Sequence, residues 1–316
     1  MTTAEPAPFR FFDLQVIRTR RLGPSMVRIT FGGEDLKDFA AGGRDQSLSL
    51  FLPQPGQDAP VVPVDAGDGS AVFAAWRALP DDVRAVMRSY TVREQRRLPG
   101  EAGEMDIDFA LHGATSDAVT SDAEAADVGA ADVGAADVGP ACRWASRAAP
   151  GHRVMVLGPA VADNTAVRCR PPEDTEWVLI WADETALPAA AAILEWLPAG
   201  LKARVWLEVQ HGDDRQELRT AADARITWLI RDEGAPSALE AVSAAELPEG
   251  TAYAWIAGES GSVKALRRHL VRDRELDRRR VTFVGYWKRG VSEDGLREEA
   301  GTAAAEETAE SASADV

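Results

Sequence analysis

The residues with the clearest chemical potential are Arg88-Ser89-Tyr90-Thr91, with Val92-Arg93 behind them. Side chains alternate between the two faces of a strand, so Arg88 and Tyr90 emerge on the same side. That pair suits a flavin nucleotide. A planar guanidinium can hold a pyrophosphate in two parallel hydrogen bonds, and a tyrosine ring can lie against the flat isoalloxazine. Thr91 then offers a hydroxyl to the polar edge of the flavin. The same spacing also occurs on barrel strands that bind nothing, so the pair does not decide the matter alone.

Further candidates lie downstream. Gly139-Pro140-Ala141-Cys142-Arg143-Trp144 looks like a helix start: proline is favoured at the first helical position, and glycine before it lets a ligand approach the backbone. Free N–H groups at such a start can take a pyrophosphate, although an ordinary helix start reads the same way. The stretches from Asp183 to Pro188 and from Gly258 to Ser262 each follow a predicted strand. Neither contains Gly-x-Gly-x-x-Gly, so they are nucleotide-site candidates by position and not by fingerprint. His112 is either a cofactor contact or a surface residue at a strand end. The four histidines, His112, His152, His211 and His269, are scattered and form no ligand set. The two cysteines, Cys142 and Cys169, cannot supply the four thiolates of an iron–sulfur centre, so no protein-held metal is expected.

These groups need strands to carry them. Residues 9–21 and 26–31 flank the turn Leu22-Gly23-Pro24-Ser25, and residues 47–52 alternate before Pro53, which is barrel-like patterning. Residues 105–111 alternate again, with Ile107, Phe109 and Leu111 on one face and Asp106, Asp108 and Ala110 on the other. A strand at 153–157 closes this half, and Pro171-Pro172-Glu173-Asp174 makes a linker. Beyond it, strands at 177–181, 204–209, 226–230, 253–257 and 281–285 alternate with helices at 187–196, 237–245 and 263–271. That order predicts a parallel sheet covered by helices, with ligands at the carboxyl ends of its strands.

The net charge is −16, yet residues 114–139 hold six acids and no base, and residues 291–316 hold eight acids and one arginine. The remainder carries only −3, and no basic face argues for nucleic acid. Residues 125–139 are three copies of Ala-Ala-Asp-Val-Gly, too poor in apolar surface to offset the cost of ordering, so a disordered insert is expected at 114–138. No apolar run is long enough for membrane insertion, and the first ten residues lack a secretory pattern, so a cytoplasmic protein is expected.

Gly285-Tyr286-Trp287-Lys288-Arg289-Gly290 makes the pattern specific. Together with Arg88-Ser89-Tyr90-Thr91, the run from Asp106 to Gly113, Gly139-Pro140-Ala141 with Trp144, the run from Asp183 to Ala189, and Trp255-Ile256-Ala257-Gly258-Glu259, it resembles the siderophore-interacting proteins. These are flavin-dependent ferric-siderophore reductases of the wider ferredoxin-reductase-like group. The likeness covers residues 9–290, with the motifs in family order.

The resemblance implies a β-barrel plus α/β protein. A six-stranded antiparallel FAD-binding barrel would span 9–170, an α/β domain binding NADPH or NADH would span 174–290, and an acidic disordered tail would fill 291–316. It implies that Arg88, Ser89, Tyr90, Thr91 and Asp108 hold the flavin, and that His112, Gly113, Gly139, Pro140, Ala141 and Trp144 shape its pyrophosphate and adenine side. Asp183, Thr185, Ala186, Pro188, Gly258 and Glu259 would line the nicotinamide cleft. Trp287 would lie near the flavin at the domain junction, unless it is a core aromatic.

Electrons would pass from NAD(P)H through FAD to the iron of a ferric siderophore, with no general acid, base or nucleophile required. The alternatives are a ferredoxin-like electron donor, a different acceptor, or a siderophore-binding flavoprotein without turnover. One departure stands out: the family commonly carries Asp-x-His-x-Lys on an early strand, and this chain reads Asp45-Gln46-Ser47-Leu48-Ser49. Arg93, Arg96, Lys288 and Arg289 are then the basic residues left to meet the siderophore.

Overall fold

The computed structural model describes residues 8–66, 69–97, 103–111 and 139–291. The expectations for His112 and Gly113, for the insert at 114–138 and for the tail from 292 onward lie outside these residues. In the first half, β1 (Phe9–Gly23), β2 (Met26–Gly32), β3 (Ser47–Leu52), β4 (Val86–Thr91), β5 (Glu94–Arg96), β6 (Glu104–Ala110) and β7 (Arg153–Pro159) form one antiparallel sheet. Its order is β4-β3-β7-β1-β2-β6-β5.

Seven strands stand where six were expected, because the strand carrying Arg88 breaks. β4 pairs with β3, β5 pairs with β6, and only Val92 and Arg93 separate the two. Val92 N–H donates to the Gln46 carbonyl and Arg93 N–H to the Asp106 carbonyl, each at 2.9 Å. One bent segment therefore binds both ends of the sheet and draws them together as a barrel, which leaves neither end as a long open edge.

Alternation fills the interior. On β1, Phe12, Leu14 and Val16 are buried while Asp13 and Gln15 are exposed. On β6, Met105, Ile107 and Phe109 join the same core. Asp106 and Asp108, on the opposite face, are buried too. Arg96 and the Thr30 hydroxyl satisfy Asp106 at 2.7 and 2.6 Å, and Arg28 grips Asp108 at 2.6 and 2.8 Å. The helix α1 (Gly69–Arg77) sends Trp76 against Phe51 on the outside of the sheet. A second helix, α2 (Pro140–Ser146), packs on β2, β4 and β6.

The second half is a parallel sheet of β8 (Trp177–Ala182), β9 (Lys202–Val209), β10 (Asp223–Ile230), β11 (Ala252–Glu259) and β12 (Val281–Trp287). Every residue of β8 is buried, as a central strand covered on both faces requires. α3 (Leu187–Trp196) covers the face of Val178, Ile180 and Ala182. α4 (Ala238–Ser243) and α5 (Ser260–Arg268) cover the face of Trp177, Leu179 and Trp181. The order β10-β9-β8-β11-β12 reverses at β8, which opens a crevice between the carboxyl ends of β8 and β11.

The halves are tied by buried polar groups. The Asp45 carboxylate, in the loop ahead of β3, accepts from the Cys169 N–H at 2.9 Å and from the Trp255 indole of β11 at 3.0 Å. Burial, then the charge of Asp45, pushes the Cys169 thiol up to about 12, so it is inert. Arg93 reaches across to Glu195 of α3 in a two-pronged pair at 2.9 and 3.1 Å. Among the described residues, no helix is long and apolar enough to cross a membrane.

Candidate functional site

Two groups of side chains converge where the sheets meet. On the barrel, Tyr90 stands opposite Leu48 and Arg88 opposite Leu50, so both project from one face of β4. Tyr90 lies 4.4 Å from Phe109, centroid to centroid, and Trp144 of α2 continues the aromatic row at 6.1 Å from Phe109 and 6.4 Å from Phe31. The start of α2 is thereby brought beside β4. Its first turn carries no acid, and among the described residues no side chain caps it at Gly139 and a Cβ on Gly139 would meet nothing within 4 Å. Amides without a cap among the described residues, next to a half-buried arginine and tyrosine, fit the pyrophosphate and ring of a flavin nucleotide.

On the parallel sheet, Asp183 follows β8 at the switch point and is buried. Its Oδ1 accepts from the Thr185 N–H at 3.0 Å and the Thr185 hydroxyl at 2.5 Å. Its Oδ2 accepts from the Glu259 N–H at 2.8 Å and the Trp287 indole at 2.7 Å. This approach is possible only because Gly258 adopts φ +143° with no side chain: a Cβ there would stand 2.5 Å from Asp183 Oδ2. Burial, and secondly the charge of Glu184, pushes Asp183 up to about 6 against the pull of its hydrogen bonds to Thr185 and Trp287.

Around Asp183 lies a cleft of about 190 Å³. β8 and its loop contribute Trp181 and Glu184, the end of β9 contributes Glu208 and Gln210, and Arg231 follows β10. Glu259, Ser262, Trp287 and Arg289 complete it. Arg231 donates to Glu184 at 2.5 Å, to Gln210 at 2.9 Å and to Glu208 at 3.0 Å. The buried Trp181 indole N–H has no partner among the described residues. A buried donor without an acceptor and carboxylates suited to ribose hydroxyls fit a nucleotide at this crevice.

The dipeptide Tyr286-Trp287 at the end of β12 links the two groups. Tyr286 faces the Thr91 hydroxyl, and the Trp287 indole donates to Asp183 at 2.7 Å. Burial first, and the Asp45 charge second, push the Tyr286 phenol up, so it stays neutral.

Several residues stand elsewhere than the sequence implied. Asp108 is enclosed and paired with Arg28, closed to a cofactor. Ser89 points away from Arg88 and Tyr90, opposite Ser49. Thr91 is buried and turned to Tyr286. Ala186 and Pro188 are buried at the start of α3 and shape its turn without lining the cleft. Arg93 is buried against Glu195 and closed to a siderophore, and the partly exposed Arg96 is already held by Glu94, Glu104 and Asp106. Arg289 lines the cleft, whereas Lys288 forms a backbone bridge with Val291. Sequence reasoning missed Glu184, Glu208, Gln210 and Arg231. Their signal was position: each stands at or just past the carboxyl end of a parallel strand.

An antiparallel barrel followed by a parallel sheet of this order is the ferredoxin-reductase-like fold. The ferredoxin reductase of carbazole 1,9a-dioxygenase shares the fold with a TM-score of 0.54 at 14% identity, over 89% of this chain and 70% of that one. More narrowly, the chain belongs to the siderophore-interacting protein family. Residues 15–163 match the siderophore-interacting FAD-binding domain and residues 175–290 match the siderophore-interacting protein domain.

It is 30% identical over 282 residues to the NADPH-dependent ferric-chelate reductase of Escherichia coli K12, covering 88% of this chain and 93% of that protein. It is 28% identical over 290 residues to the ferric vibriobactin reductase ViuB of Vibrio cholerae, covering 90% of this chain and 92% of that protein. A solved siderophore utilization protein from T. fusca is similar with a TM-score of 0.67 and 32% identity, over 92% of this chain and 97% of that one.

Proposed function

We propose that this protein is a cytoplasmic ferric-siderophore reductase that draws electrons from NADH or NADPH and works through FAD. The observation that carries this reading is the Tyr286-Trp287 dipeptide: one residue faces Thr91, at the end of the flavin motif, and the next bonds Asp183, at the nucleotide crevice. Two cofactor sites joined through adjacent residues support direct electron delivery between them. Kinship to reductases of iron chelates supports the acceptor.

The electron count sets the need for two sites. One reduced nicotinamide gives up a hydride, two Fe(III) each accept one electron, and one proton is released beside two Fe(II). FAD, when bound, takes electrons in a pair and releases them singly. In this reading Arg88 and the amides at the start of α2 bind its pyrophosphate, and Tyr90, backed by Phe109, orients the ring system. Asp183 holds Trp287 in place, and the half-buried Tyr286 packs beside it at the junction. Ferric iron is hard and held by the oxygens of the siderophore; the softer ferrous ion is held weakly and leaves. In this reading the iron arrives with its siderophore as substrate.

Anaerobic mixing with NADH or NADPH and a ferric siderophore, with a ferrous-specific chelator as trap, tests the reading. Flavin bleaching followed by ferrous release is expected. If neither nucleotide bleaches the flavin, the electron source moves to a ferredoxin-like protein, and bleaching without ferrous release moves the acceptor.

A further inference from the structure

We infer that the cleft selects a nicotinamide dinucleotide with a free 2′-hydroxyl, NADH, over its 2′-phosphorylated counterpart, and that Glu208 enforces this choice by neutralising Arg231. The inference rests on the nicotinamide donor proposed above and deepens it.

Topology locates the discriminating position. In a sheet with this switch point, the acid near the end of the strand after the first accepts the ribose 2′-hydroxyl, and an arginine nearby accommodates a 2′-phosphate. Glu208 is the penultimate residue of β9, the strand that follows and flanks β8, and its side chain reaches the cleft. Arg231 stands beside it, so both kinds of residue are present. What decides between them is the state of the arginine. Its Nε is engaged by Gln210, one terminal nitrogen by Glu208 and the other by the buried Glu184. A 2′-phosphate would have to displace carboxylates that already hold the guanidinium in place.

The charge of the lining points the same way. Four carboxylates, Asp183, Glu184, Glu208 and Glu259, face two guanidinium groups. Arg231 is compensated, and the exposed Arg289 forms no ion pair among the described residues. Among the described residues that line the cleft, one cation is then available for the pyrophosphate common to both nucleotides, and none for a third phosphate. Arg215, Lys264 and Arg267, basic residues elsewhere on this half, do not line the cleft. Arg267 instead lies over the Phe283 ring at 4.3 Å. The unpartnered indole N–H of Trp181, on a residue with no exposed surface, is an independent sign of a ligand here, because such a donor calls for an oxygen acceptor.

The test separates binding from turnover. Calorimetric titration of the purified flavoprotein with ADP-ribose and with 2′-phospho-ADP-ribose reads the choice without any electron transfer. Wild type should bind ADP-ribose at least tenfold more tightly, and kcat/KM should favour NADH over NADPH by a similar factor. Glu208→Gln removes one carboxylate from Arg231 and should narrow both ratios severalfold, with the change shrinking as salt rises. Equal or tighter binding of the 2′-phosphorylated ligand by wild type overturns the inference and leaves the nicotinamide donor standing. If neither ligand binds and neither nucleotide is oxidised, both fall together. A Glu208→Gln variant that does not fold leaves the wild-type titration as the deciding measurement.

Discussion

Asp106 in the barrel and Asp183 in the α/β half are both buried carboxylates, and their surroundings treat them in opposite ways. Burial acts to raise Asp106, but the Arg96 guanidinium and the Thr30 hydroxyl outweigh it and hold the acid below the usual carboxylate range. Burial also raises Asp183, and there Glu184 adds to it while only neutral donors oppose it, so the acid stands at about 6. The barrel's acids come with their own cations and are parts of the wall. Asp183 makes no ion pair among the described residues and lines a cleft.

The largest effect should come from breaking the barrel's pairing. Arg96→Ala strands Asp106, whose side chain is 5% exposed, and should lower unfolding free energy by about 3–5 kcal/mol in denaturant titration. A loss below about 1 kcal/mol would put the two kinds of acid on the same footing.

The second test is the pH dependence attributable to Asp183. Its folded pKa lies above the ordinary value, so the native state binds the proton more tightly. That stabilisation is full below about pH 4 and is lost as pH rises to about 6, roughly 2–3 kcal/mol in all. The stability of wild type minus that of Asp183→Asn, followed from pH 4 to 7, should fall with this sign, and a flat difference would refute the contrast.

Arg88→Ala should weaken FAD binding about tenfold, or about 1.4 kcal/mol, while leaving the apoprotein's melting curve in place. Full flavin retention would mean that the pyrophosphate is held elsewhere. The smallest effect belongs to Arg18→Ala: this arginine pairs with Glu104 at 2.6 Å but is half exposed, so unfolding free energy should change by less than about 1 kcal/mol.

The strands of the barrel were legible because alternation marks a wall with one apolar face, as Ile107 and Phe109 against Asp106 and Asp108 do on β6. α3 was legible to the residue, since Leu187-Pro188 opens a run of alanines that only a helix uses. The break after Thr91 was not, because it depends on where β6 lies in space and leaves only the three residues of β5 as a trace. Arg93 looked free because a sequence shows a charge without its partner, and Glu195 lies 102 residues away on α3. Glu208 and Arg231 could have been found by applying the strand-end rule to β9 and β10 as it was applied to β8 and β11.

The carboxylate of Asp45 and the indole of Trp255 are separated by 210 residues of chain. At the pace of a ribosome, about 5–20 residues per second, roughly 10–40 s pass between the synthesis of the acid and the synthesis of its donor. Through that interval the nascent barrel can zip its sheet but cannot finish the corner ahead of β3. The N-terminal half is thus born with this joint open, and a strand that emerges long after the barrel's own chain is complete must close it.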